Sequence, residues 1–111
     1  MNDRIAFAMA ALALTVLAGP DTAQAQQADT RSGRTIARTV CATCHGTRTG
    51  ELTSPNPYAP SFENIANTPG MTAAALRVAL NSSHRTMPNI ILDHAQQRNI
   101  IAYILTLKDT N

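Results

Sequence analysis

The sequence predicts an all-α domain with long loops, and three observations carry that prediction. No segment alternates apolar and polar residues as a half-buried strand does. Several stretches instead place apolar residues at helical spacing or behind an N-cap residue. The chain between them is rich in Gly, Pro, Ser, Thr and Asn, the residues of turns. With 111 residues there is room for one core and no second domain.

The first element is a leader. Residues Ile5 to Ala18 form an apolar run broken only by Thr15 and preceded by Arg4. Gly19-Pro20 ends any helix there, and Ala23-Gln24-Ala25 has the small-x-small pattern of a cleavage site. A membrane span needs about 20 apolar residues, so the run is short for an anchor. The expectation is a signal peptide over residues 1–25 and one domain over 26–111. Asp3 weakens the positive start, and an uncleaved anchor is the competing reading. Only an uncleaved leader would bring the protein to a membrane.

Removing the leader takes away Arg4, Asp3 and Asp21 and makes the chain one unit more positive than its full-length +2. That balance is mild and excludes a polybasic nucleic-acid arm. The aromatic content is unusual: two Phe, two Tyr and no Trp, with Phe7 lost in the leader. A domain this small commonly carries a staple such as a disulfide, metal or cofactor, and here something must fill the core.

From Gly33, the residues Ile36, Ala37 and Val40 follow the spacing of a helix face, with Arg31, Arg34 and Arg38 on the other side. The arginine stripe reads first as a solvated face and second as a docking patch. Residues 46–60 have loop chemistry, and Ser61 to Asn67 can hold a short helix. Thr72 is a candidate N-cap for Ala73 to Leu80, with Leu76, Ala79 and Leu80 on one side. Ser82 to Ile91 contains Pro88 and reads as irregular. Asp93-x-x-Gln96 is a capping-box pattern ahead of Ile100, Ile101, Ile104, Leu105 and Leu107, with Lys108 expected at the negative helix end.

The chemistry lies in Cys41-Ala42-Thr43-Cys44-His45. A disulfide between Cys41 and Cys44 would close a very short loop and stabilise little. A thioredoxin-like dithiol expects a βαβ context, and none is present. A structural zinc site needs four ligands, while only His84 and His94 remain, at no common spacing. Covalent c-type haem attachment, for which Cys-x-x-Cys-His is the recognised sequence, explains the most. It agrees with an extracytoplasmic address, and a large flat apolar disc would supply the missing core.

The Cys41–His45 motif lies behind a Gly33-bearing helix and ahead of a final helix ending Ile101-Ala102-Tyr103-Ile104-Leu105-Thr106-Leu107. In this order the chain resembles the small monohaem class I cytochromes c of the bacterial periplasm, over roughly residues 30 to 108. The resemblance implies the cytochrome c fold, three to five short helices wrapped around one covalently bound haem. Cys41 and Cys44 would form thioethers and His45 would ligate the iron. In the family a Met-Pro on a loop before the last helix supplies the sixth ligand, and Met87-Pro88 matches that position. A thioether there raises the reduction potential. His84 and an open site are the alternatives. Met71 reads better as packing and His94 as solvent-facing.

By the same resemblance, the Pro60 carbonyl would accept the Nδ1–H of His45, although a plain loop proline fits as well. Phe62 would pack on the haem edge, and Gly33 and Ala37 would let the first helix cross the last near Tyr103. Arg48 and Arg85 are candidates for haem propionates or for solvated charges. Apolar walls are expected from Ile36, Val40, Leu76, Leu80, Ile100 and Ile104. The implied function is periplasmic electron transfer with transient redox protein partners. No catalytic residue, small-molecule substrate or nucleic acid is involved, and the protein is expected to be a monomer. Two alternatives stand beside it: a bound electron-accepting subunit of a dehydrogenase or oxidase, and a haem enzyme or gas sensor with an open distal site. Coordinates of the chain should show a flat apolar cavity between His45 and Met87, with both sulfurs on its rim.

Overall fold

The computed structural model describes residues 27–109. The expected leader over residues 1–25, and the start of the domain at residue 26, lie outside the described residues. Among the described residues the regular structure consists of four α-helices, α1 (Thr30–Ile36), α2 (Phe62–Ala66), α3 (Ala73–Leu80) and α4 (His94–Leu105), with one π-helical segment, Ala37–Cys41. Among the described residues there is no strand.

Helix α1 starts at Asp29. Its carboxylate accepts the Arg31 N–H at 2.9 Å and the Ser32 hydroxyl at 2.6 Å, which satisfies donors the first turn leaves free. The Ser32 bond, followed by backbone bonds, holds the Asp29 carboxyl below its ordinary 3.8. The sequence spacing predicts one helix through Val40, but the chain widens into a π segment at Ala37. The hydroxyls of Thr35 and Thr39 bond back to the carbonyls of Arg31 (3.2 Å) and Thr35 (2.8 Å). Such back-bonding occupies carbonyls of the ladder and bends helices.

Helices α3 and α4 begin where the cap residues Thr72 and Asp93 predict, and Ser61, expected only as the start of a short helix, caps α2. The Ser61 hydroxyl accepts from Asn64 N–H at 3.1 Å, and the Thr72 hydroxyl from Ala75 N–H at 3.1 Å. At α4 the capping box is complete, with Gln96 N–H to Asp93 at 2.8 Å and Asp93 N–H to the Gln96 side chain at 3.0 Å. The end of α4 differs from expectation. It stops at Leu105, so Lys108 is exposed beyond the helix and does not complement its last turn. The Thr106 hydroxyl donates to the Tyr103 carbonyl at 2.6 Å, the chain turns, and Leu107 is buried outside the helix. Asn67 fixes that turn by donating to Leu107 O at 3.3 Å and accepting from Asp109 N–H at 2.8 Å.

The core is small: Ala37, Phe62, Ala66, Leu76, Ile100, Ile101, Tyr103, Ile104 and Leu107. Its main seam is α1 against α4. The closeness of that crossing depends on Gly33, where an added Cβ would lie 2.6 Å from the Asn99 carbonyl carbon and 2.8 Å from Tyr103 Cβ. Asp29 N–H reaches across the same seam to the Asn99 side chain at 2.8 Å. Arg31, Arg34 and Arg38 are all exposed, and the Arg34 guanidinium also lies 6.0 Å from the centre of the Tyr103 ring.

Candidate haem site

The Cys41–His45 segment is a closed turn at the end of the π segment. The Cys41 carbonyl accepts from Cys44 N–H at 3.1 Å and from His45 N–H at 2.9 Å. This winding brings Cys41, Cys44 and His45 into the wall of one cavity of about 400 Å³. Met87 and Pro88 line the same cavity, with Pro60, Phe62, Leu76, Leu80, Ile100 and Ile104 among the other wall residues. Val40 and Tyr58 line it while remaining 40% and 82% exposed, so the cavity opens to solvent beside them.

One expected wall residue is absent. Ile36 does not line the cavity; it packs half-buried against the core. The π segment begins one residue later, at Ala37, and of the two only Val40, near its end, reaches the cavity. Met71 and His84 do line the cavity, and His94 is exposed in the first turn of α4. The His84 ring donates through Nε2 to the Ala79 carbonyl at 2.7 Å. Arg48 and Arg85 are exposed and line no part of the cavity.

His45 Nδ1 lies 2.7 Å from the Pro60 carbonyl oxygen. A carbonyl only accepts, so Nδ1 carries the proton and Nε2 keeps its lone pair. The Phe62 ring is 4% exposed, with its centre 5.4 Å from that of the imidazole. The backbone around His45 is held as firmly. Cys44 O accepts from Asn56 N–H at 3.1 Å, Gly46 N–H donates to the Ser54 hydroxyl at 2.9 Å, and Gly46 O accepts from Phe62 N–H at 2.7 Å. A Cβ at Gly46 would press on the Thr53 carbonyl and the Glu51 side chain. Sequence reasoning missed Gly46, Ser54 and Asn56, because in a Gly/Ser/Asn-rich loop they look like any turn residues.

The donor set fits a c-type haem. Burial pushes the Cys41 thiol up to about 11, so this position disfavours a thiolate and suits a neutral sulfur such as a thioether. The imidazole has one nitrogen engaged and one free, and most of the remaining wall is apolar. A strand-free fold that sets two thiols and an oriented imidazole around an apolar cavity is that of a c-type cytochrome.

The chain belongs to the family described as Cytochrome C oxidase, cbb3-type, subunit III, whose model matches residues 28–104. It is also similar to cytochrome c-552 of Bradyrhizobium diazoefficiens, with 28% identity over 97 residues that make up 87% of this chain and 92% of that protein. No solved structure matches the chain. Membership carries with it a covalently bound haem c, electron transfer and redox partners. Among the described residues no helix is long and apolar enough to cross a membrane.

Proposed function

We propose that the protein is a single-haem electron carrier of the periplasm, exported by the leader over residues 1–25. Cys41 and Cys44 would hold the haem through thioethers, and His45 Nε2 and Met87 sulfur would bind its iron. When bound, haem c supplies a one-electron Fe(III)/Fe(II) couple. The observation that carries this reading is the 2.7 Å contact between His45 Nδ1 and the Pro60 carbonyl. It fixes the tautomer that leaves Nε2 available and makes the ring a stronger electron donor.

Each remaining residue has a simple task. Pro60 orients the imidazole and Phe62 packs against it. Leu76, Leu80, Ile100 and Ile104 keep water from the cavity wall, and Met87 sulfur favours the reduced state. No substrate site or catalytic residue is needed, so the protein is a carrier and not an enzyme. Its redox partners dock transiently through a small interface beside the exposed Val40 and Tyr58, and it works as a monomer.

The absorption spectrum of the ferric protein tests this reading. A weak far-red band of Met–iron coordination, with no carbon monoxide uptake in the ferrous state, is the expected result. Its absence would favour a haem enzyme or sensor with an open distal position. A second reading, a bound electron-accepting subunit, is favoured by the family description, which is that of an oxidase subunit. Size-exclusion chromatography separates the two, since a free carrier elutes as a small monomer.

A further inference from the structure

We infer that Tyr103 and Glu51 are positioning residues for His45, acting through the backbone that follows it. This inference rests on the proposed role of His45 as an iron ligand. Thr47, two residues beyond His45, is 2% exposed, yet both of its backbone groups are satisfied by side chains from elsewhere. Its N–H donates to a Glu51 carboxylate oxygen at 2.9 Å, and the same oxygen takes the Arg48 N–H at 3.1 Å. Its carbonyl accepts the Tyr103 hydroxyl at 2.6 Å, a bond spanning 56 residues.

The geometry links these bonds to the imidazole in two steps. Gly46 O is bonded to Phe62 N–H, and His45 Nδ1–H to Pro60 O, so residues 45–46 and 60–62 form a two-rung ladder. The peptide at Thr47 is the continuation of one side of that ladder. Tyr103 holds it from α4, and Glu51 holds it from the loop. Tyr103 is itself fixed, 6% exposed and packed at the Gly33 crossing, so the seam between α1 and α4 determines where the Thr47 carbonyl sits. Releasing either hold lets the turn drift from Pro60 and lengthens the Nδ1–H···O bond. A ring with a weaker Nδ1–H bond is a poorer electron donor and supports Fe(III) less well.

The test uses the holoprotein with Tyr103→Phe and Glu51→Leu, each of which removes one hold, the second read against Glu51→Gln, which loses the charge but keeps an acceptor oxygen. Two quantities are read: the Fe(II)/Fe(III) ratio at the wild-type midpoint potential, and the urea midpoint of unfolding. Tyr103→Phe and Glu51→Leu are expected to retain covalent haem and to raise the ratio at least twofold. Arg34→Ala serves as the control, because it loses a contact with the same Tyr103 ring and touches nothing in the turn. It should lower the unfolding midpoint and leave the ratio unchanged. A ratio that is unchanged or lowered in Tyr103→Phe or in Glu51→Leu overturns the role of that residue, whatever happens to stability. Absence of haem from the wild-type protein would instead remove the proposed function, and it is seen before any variant is made.

Discussion

The Nδ1 atom of His45 is 2.7 Å from the carbonyl oxygen of Pro60, fifteen residues along the chain. That bond and the Phe62 ring beside it fix the imidazole without any charged partner. Truncating Phe62 to Ala should therefore both loosen the ring and leave a void in a small core. The expected loss is about 3–5 kcal/mol in denaturant unfolding of the holoprotein. A loss under 1 kcal/mol would mean that the site does not depend on this packing.

The α1–α4 seam has no space for a side chain at position 33. Gly33→Ala would press a methyl group on the Asn99 carbonyl and on Tyr103 Cβ, which are parts of α4 that cannot swing away. Overpacking of this kind costs about 1–3 kcal/mol. Urea unfolding measures it, and an unchanged midpoint would contradict the close crossing.

Asp93→Ala removes the side-chain half of the capping box, the bond from Gln96 N–H, and leaves the backbone N–H of residue 93 to donate to the Gln96 side chain. The expected cost is about 1 kcal/mol, read from the same unfolding curves. Hydrogen exchange should quicken in the first turn of α4 and stay unchanged at Ile104.

Met87→Ala is expected to leave the haem covalently attached, because the two cysteines are untouched. It should abolish the far-red ferric band, lower the reduction potential and open the ferrous protein to carbon monoxide. Retention of the band would show that another methionine of the cavity wall, Met71, supplies the sixth ligand.

The start of α1 should respond to acid. The Ser32 hydroxyl and the backbone N–H groups of Arg31 and Ser32 hold the Asp29 carboxyl below its ordinary 3.8. A depressed folded pKa means that the cap contributes fully above the ordinary value and is lost as pH falls through the folded one. In an NMR titration the Arg31 and Ser32 amides should therefore move only below about 3.8, and Asp29→Asn should remove that step. Movement near pH 5 would contradict the cap.

The parts of the fold set by local chemistry were legible in the sequence. Thr72 and Asp93 begin helices because their side chains accept from the backbone three residues on, a rule that needs no tertiary contact. Gly33 was legible as a crossing point only through the family resemblance. The π segment was not legible, since Thr35 and Thr39 look ordinary within a helical pattern. Ile36, expected on the cavity wall, packs against the core instead. Lys108 was misplaced because the helix ends at a hydroxyl-closed turn that apolar spacing does not register. The holds on Thr47 were invisible for another reason: a buried carbonyl paired with a tyrosine 56 residues away leaves no local pattern.

The account depends most on the two cysteines carrying the haem, and peptide mapping of the denatured, purified protein tests this directly. The expected result is haem on a single peptide containing Cys41 and Cys44, with neither sulfur open to alkylation. Recovery of that peptide without haem and with both thiols alkylated would contradict it.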